Sequence, residues 1–266
     1  MKIKNVLFVP GKSAFFFDDQ KAIKNGAKLD GFVYEGQPVT KGFTTIRQAG
    51  ECVSILLELE DGRLAVGDCA AVQYSGVGGR DPLFLAEHYL PFMERELKPR
   101  LTGMEIGTFR QMADKFENLT FNGKKMHTAI RYGLSQALLD ARALAEKKLK
   151  AEVICEEYKL PVIAERVKIF AQSGDERYLN ADKMILKEVD ALPHALINNV
   201  DDKLGRNGEK LREYLRWLVN RIKKLRRRAS YHPDLHIDVY GTIGLIFDSN
   251  LDRVADYLAS LEKEVD

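Results

Sequence analysis

Three times after Pro161 the chain repeats one rhythm, a short apolar run followed by a helical segment with one apolar face. The runs are VKIFAQSGD, ALPHALINN and DLHIDVYGTIG; the helical segments are RYLNADKMILKEVD, GEKLREYLRWLVNRIKKL and LDRVADYLASLEKEV. Short strands alternating with helices of this length are the pattern of βα units. Their strands pair in parallel, because each crossover helix returns the chain to the same end of the sheet. The rhythm therefore restricts the second part of the chain to a parallel sheet with helices packed on it.

The first part has a different texture. Up to about residue 80 strands and turns dominate. In ECVSILLELEDGRLAVGDCAAV two β-rich runs flank Asp61-Gly62, the signature of a tight hairpin. The N-terminal MKIKNVLFVPGKSAFFF predicts a strand, and Pro10, Gly11 and Lys12 interrupt it before a signal-peptide core forms. From about 82 to 157 the pattern is helical. Pro82 is placed for a first helical turn, and AIRYGLSQALLDARALAEKKL carries an apolar stripe through Ile130, Leu134, Leu138, Ala141 and Leu144. Strands followed by helices predict an α+β domain over 1–160, with the βα units over 161–266.

Composition narrows the function classes. The 266 residues are 45% hydrophobic, enough for a sizeable core, and 41 basic against 39 acidic residues leave a net charge of +2, so no global field draws nucleic acid or a membrane surface. The basic run RIKKLRRR, Arg221 to Arg228, closes a helix whose apolar face is Leu211, Leu215, Leu218, Ile222 and Leu225. Cations there complement the helix dipole, so the run reads as a solvated helix end and no nucleic-acid partner is expected. No stretch of roughly 18 apolar residues predicts a membrane span. Cys52, Cys69 and Cys155 are odd in number and lack CxxC spacing, which argues against a disulfide framework or structural zinc and predicts a cytoplasmic protein. The glycine-rich YSGVGGRDP lacks the GK[ST] ending of a phosphate loop. His88 and His127 have no partner ligand one helical turn away and read as structural, and Trp217 with Tyr214 reads as helix packing.

In parallel βα architectures the chemistry sits at the carboxyl ends of the strands, where loops converge on a rigid rim. Gln172, His194 and Asp238 fall there. A carboxylate at the end of a buried strand is costly unless paired, hydrogen-bonded or bound to metal. Each residue also has a plain structural role open to it: Gln172 satisfying loop backbone, His194 as a hydrogen-bonded core histidine, Asp238 capping the turn that follows.

The stretches FDDQ with Gly26 soon after, GDCAAVQYSGVGGRDPLFLA, MHTAIRYGLSQALLDA, FAQSGDERY, LPHALINNV and HIDVYGTIG together resemble the methylaspartate ammonia-lyase family of the enolase superfamily, from the first residues to the last. The resemblance implies an N-terminal α+β capping domain and a C-terminal (β/α)8 barrel of the TIM type. It implies magnesium-assisted elimination of ammonia from L-threo-3-methylaspartate, a small amino acid, to give mesaconate, a step of glutamate degradation. Superfamily sites pair a Lys or His base with magnesium that stabilises the enediolate. Residue by residue, Asp238 matches the first magnesium ligand, His194 the histidine facing the substrate opposite a lysine base, and Gln172 a hydrogen-bond partner of the substrate. Gln73, in AAVQYSG of the capping domain, matches a further substrate-binding residue. Potassium as a monovalent activator and a homodimer are implied in the same way.

A closed barrel of this type takes about 250 residues, against the 105 that follow Pro161. Three βα units, a partial barrel, are therefore expected. The family's other two magnesium ligands and its lysine have no counterpart before residue 266. On that ground the chain is expected to be an N-terminal portion, inactive alone, whose third strand leaves an open edge for a complementing C-terminal chain. The alternative is a non-catalytic remnant that acts as a dimerisation or interaction module.

Overall fold

The computed structural model describes residues 1–71 and 81–265. Gln73 and the glycine-rich stretch 74–80 lie outside the described residues. The chain divides into two compact units, Met1–Ile163 and Ala164–Asp266.

The first unit is built on a three-stranded antiparallel sheet with Arg47–Leu59 in the centre, flanked by Ile3–Asp18 and Leu64–Ala70. The N-terminal strand and the hairpin at Asp61-Gly62 stand as the sequence predicts, with Gly62 at φ +85° in the turn. Val53, Ile55, Leu57 and Leu59 are all fully buried, the period of two that puts one face of the central strand into the core. Against that face lies the helix Thr128–Glu146, which buries Ile130, Leu134, Leu138 and Ala141 of the predicted stripe, while Leu144 packs at the margin. Each such leucine contributes about 2 kcal/mol by leaving water.

His127 is structural, as expected. It caps this helix: its Nδ1 accepts from the Ala129 N–H at 3.0 Å, so its Nε2–H donates to the Pro82 carbonyl at 2.9 Å. Burial holds its pKa below the usual imidazole range, in keeping with a neutral ring that both accepts and donates. Pro82, by contrast, opens no helix. Residues 81–85 are non-helical and the next helix is Ala86–Phe92. The reason is tertiary: the Pro82 carbonyl serves His127 and the Asp81 carboxylate accepts from the Thr128 N–H at 2.6 Å, so this segment docks on the start of a later helix.

Asp19 is a buried carboxylate at the start of the short helix Gln20–Lys24. It accepts from the Val39 and Thr40 N–H groups at 2.7 and 2.8 Å, the Thr40 hydroxyl at 2.6 Å and the Ala22 N–H at 3.3 Å. Burial alone raises its pKa, but the bonds from Thr40, Val39 and Ala22 outweigh burial and leave it below the ordinary 3.8. A depressed carboxylate stabilises the fold above its unfolded pKa of about 3.9, and that contribution is lost as pH falls through the folded value. Asp19→Asn is expected to weaken the fold at neutral pH by about 1–3 kcal/mol, and to flatten the stability loss below about pH 4. Urea melts of both proteins from neutral to acid pH check this; parallel acid profiles would contradict it.

The second unit holds a parallel pair, Ala191–Leu196 and Asp234–Asp238. The expected first strand of this unit is not a strand in its own right. Phe170 and Gly174 form isolated parallel bridges to Ala191 and Ala195, and Ile169 and Phe170 are exposed. The Ala171 N–H donates to the Ala191 carbonyl at 3.0 Å, the Ser173 N–H to that of Pro193 at 2.6 Å and the Ala191 N–H to that of Ile169 at 3.0 Å, but Pro193 has no N–H to return, so the ladder is interrupted between the two bridges. The described residues thus show one strand pair and a bridged segment where three βα units were expected.

Helices Leu179–Leu186, Glu209–Leu225 and Leu251–Glu262 lie where predicted. The long helix buries Leu211, Tyr214, Leu215, Leu218 and Ile222 against Ala181, Ile185, Leu192 and Ala195. Trp217 stacks on Tyr214, and both meet the edge of Tyr178, which is the expected packing role. Part of the basic run is tied down within the unit: Arg221 reaches Asp182 at 2.6 Å and Arg228 reaches Glu188 at 2.7 Å. Among the described residues no helix is long and apolar enough to cross a membrane.

Candidate active site at the carboxyl ends of the parallel strands

The two parallel strands pair Leu192 with Leu235, Pro193 with His236 and then Ala195 with Ile237. One extra residue, His194, is thereby inserted between paired positions, a bulge that re-aims a side chain. Its φ of +49° lies in the left-handed region, at a cost of order 1 kcal/mol or more that the surrounding pairing sustains. The Leu192–Pro193 peptide before it is cis. Beyond the bulge the ladder resumes, and the Ile197 N–H donates to the Asp238 carbonyl at 2.8 Å.

The bulge brings His194 onto two residues of the neighbouring strand. Its Nε2 is 3.4 Å from Oδ2 of Asp238, and its Nδ1 is 3.0 Å from Nδ1 of His236. The two imidazoles lie side by side with centroids 4.9 Å apart and 27° between planes, and Phe170 meets both edge-on at 5.4 and 5.1 Å. The His194 side chain is 19% exposed and that of Asp238 30%, so the pair is reachable from solvent yet shielded enough for its electrostatics to count.

The turn after Asp238 is held from below. Thr242 is buried, and its hydroxyl lies 2.9 Å from the Ile197 carbonyl and 2.7 Å from that of Val239, donating its one proton between them. Tyr240 and Gly241 take left-handed conformations at φ +49° and +75°, which turn the chain from the strand into the helix Thr242–Ile246. The Tyr240 N–H approaches Oδ1 of Asp238 at 3.4 Å, a long and weak contact, so the turn-capping role for Asp238 is at most partial.

Gln172 is exposed and, among the described residues, makes no hydrogen bond to His194 or Asp238. The structure thus joins two of the three sequence candidates. It also supplies residues that sequence reasoning passed over. His236 stands two positions before Asp238 on the same strand face, a period-of-two signal present in HIDVYG. Lys203 pairs with Asp175 and donates to Asn198 Oδ1 at 2.7 Å, tying together the loops that follow the bridged segment and the strand Ala191–Leu196. Nothing local in the sequence signals that link.

As a metal site the described residues are incomplete. Asp238 offers the hard oxygen donors that magnesium takes, whereas among the described residues no group of three His, Cys, Asp or Glu converges to hold an ion. They furnish one oxygen ligand and no cage.

Comparison with known proteins gives the family. The model described as methylaspartate ammonia-lyase N-terminus matches residues 1–159, and that described as methylaspartate ammonia-lyase C-terminus matches 161–266. The methylaspartate ammonia-lyase of Citrobacter amalonaticus is 64% identical over 264 residues, covering 99% of this chain and 64% of the relative; that of Clostridium tetanomorphum is 59% identical over 98% of this chain and 63% of the relative. Among solved structures, the Citrobacter amalonaticus enzyme containing (2S,3S)-3-methylaspartic acid superposes with a TM-score of 0.95 at 64% identity, covering 100% of this chain and 64% of that one. A magnesium complex of the Clostridium tetanomorphum enzyme gives 0.92 at 58% identity, with the same coverage. A dipeptide epimerase from Methylococcus capsulatus, with 14% identity, a TM-score of 0.55 and coverage of 97% of this chain and 60% of that one, shares the fold alone.

Two expectations are corrected here. The expectation that the chain is an N-terminal portion only is not borne out, since the model described as methylaspartate ammonia-lyase C-terminus matches residues 161–266. The expectation of an inactive chain, which rested on that reading, is withdrawn with it. The chain spans about 64% of the length of the curated relatives it matches. With both family models matched in sequence order, this chain belongs to the methylaspartate ammonia-lyase family.

Proposed function

We propose that the chain serves the elimination of ammonia from L-threo-3-methylaspartate to give mesaconate, with residues 1–160 as the capping domain and 161–266 as barrel strands and helices. The observation that carries the reading is the convergence of His194 and Asp238 at 3.4 Å on the carboxyl ends of adjacent parallel strands, in a chain 64% identical to a named lyase. A proton next to a carboxylate is weakly acidic, so the negative charge that develops on its removal must meet charge and hydrogen-bond donors already in place.

His194 sits on a bulge that presents its ring at the strand end, and serves as the substrate-facing acid–base or electrostatic group. Asp238 is one magnesium ligand. Positive charge at the substrate carboxylate is what magnesium supplies when bound. Gln172, exposed at its strand end, is free to turn toward the substrate, and Gln73 is assigned to substrate binding through the family resemblance. Potassium as activator, self-association as a homodimer and a place in glutamate degradation complete the reading.

The test is mesaconate formation from 3-methylaspartate by the whole protein that carries these residues. Formation that is lost on chelation and restored by magnesium is the expected result. Formation untouched by chelation would remove the metal role of Asp238, and none under any condition would remove the lyase reading.

A further inference from the structure

We infer that Asn198 is a further substrate-binding residue: Lys203 holds its side-chain oxygen, so that the two N–H bonds of Nδ2 are presented to a carboxylate of the substrate. That substrate is the one of the proposed lyase reading, on which this assignment rests; the direction of the amide rests on geometry alone.

Asn198 stands just past the strand Ala191–Leu196. Ala195 and Ile197 are fully buried, in the core that also takes Leu211, Leu215 and Leu218 of the long helix. Successive side chains of an extended chain take opposite faces, so Leu196 and Asn198 fall on the face away from that core. Leu196 pairs with Asp238, and the Ile197 N–H donates to the Asp238 carbonyl at 2.8 Å. Asn198 therefore follows directly on the residue bonded to Asp238, at the carboxyl end where Asp238 and His194 meet.

The direction of its amide is set by its partner. An ammonium group only donates, so the atom that faces Lys203 Nζ at 2.7 Å is the oxygen, Oδ1. The Lys203 side chain is 18% exposed and also pairs with Asp175, in the loop that follows Gln172, so its charge is already balanced. The opposite end of the amide, Nδ2, carries two N–H bonds, and among the described residues neither meets a protein acceptor. Asn199 differs: its side-chain oxygen accepts from the Asp202 N–H at 2.7 Å and caps the helical turn Val200–Leu204. One asparagine of the pair closes a turn, and the other leaves its donors open at the strand end. Hydrogen bonds to a charged acceptor are the stronger kind, and the substrate of the proposed reaction carries two carboxylates.

The experiment measures mesaconate formation by the whole protein and, separately, the calorimetric binding of mesaconate, in wild type, Asn198→Ala, Asn198→Asp and Lys203→Met. Asn198→Ala is expected to raise KM and the mesaconate Kd by about tenfold or more, the worth of a hydrogen bond to a charged group, with kcat within a few-fold of wild type. Asn198→Asp is expected to raise both further, because a carboxylate takes the place of the donors. Lys203→Met, which frees the amide to turn, is expected to raise both several-fold. A mere tie between loops would give the opposite result: aspartate would pair with Lys203 at least as well as asparagine and leave KM where it was.

KM and Kd unchanged in Asn198→Asp or in a folded Asn198→Ala overturn the inference and leave the lyase reading standing, and a folded Lys203→Met with wild-type KM overturns the part given to Lys203. Thermal melts show whether each variant folds; Asn198→Asp keeps the shape of an exposed side chain and decides if the alanine variant does not fold. A wild type that binds mesaconate but forms none, with binding weakened in Asn198→Asp, supports Asn198 as the carboxylate contact and removes only the lyase reading. A wild type that neither forms nor binds mesaconate overturns both.

Discussion

Gly133→Ala is expected to destabilise the first unit by about 3 kcal/mol, although alanine is the better helix former. The helix Thr128–Glu146 lies so close to the strand Leu64–Ala70 that backbone meets backbone. A Cβ at Gly133 would stand 2.6 Å from the Cys69 nitrogen and 2.7 Å from its sulfur. A Cβ at Gly67 would stand 2.0 Å from the Gly133 carbonyl oxygen and 2.5 Å from the Ala137 nitrogen. These neighbours are backbone atoms and the sulfur of the fully buried Cys69, so no flexible side-chain end can move aside. Helix propensity alone favours alanine by about 1 kcal/mol, and separating helix from sheet costs more than that because the surrounding leucines lose contact. Gly67→Ala is expected to cost at least as much. Urea unfolding decides the matter: a Gly133→Ala protein with an unchanged or higher midpoint would mean that propensity wins and the close approach is not binding.

Asp238→Asn is expected to lower mesaconate formation by about 10²-fold or more in the whole protein, while the fold loses no more than about 1 kcal/mol. The substitution keeps shape and one neutral oxygen but removes the charge that faces Nε2 of His194 and would hold magnesium. The carboxylate is partly exposed and its contact with the Tyr240 N–H is long, so stability depends on it little. Activity at saturating magnesium, beside a thermal melt, separates the two effects. Activity within a few-fold of wild type would remove Asp238 from the site, and a loss explained by unfolding would make its role structural.

The separation of the chain into two textures was legible from residues 1 to 266 because periodicity is written within a few neighbouring residues. The hairpin at Asp61-Gly62, the stripe Ile130 to Ala141 and the helix that buries Leu211 to Ile222 each follow from local pattern. The places of His194 and Asp238 near strand ends were legible by the same means, since an apolar run ending in a polar residue marks a strand end. Pro82 shows where this reasoning stops: its ring suits a first helical turn, and a histidine 45 positions away claims its carbonyl instead.

By itself the sequence determined which segments are strands and helices over most of the chain, and which polar residues lie at strand ends, because these depend on short-range sterics and on the spacing of apolar side chains. Tertiary structure alone decided the bulge at His194, the approach of His236 to it, the contact of Gly67 with Gly133, and the reduction of the run VKIFAQSGD to bridges at Phe170 and Gly174. Each of those depends on register and distance between segments remote in sequence. Such distances are set by how whole faces pack, and no local pattern records them.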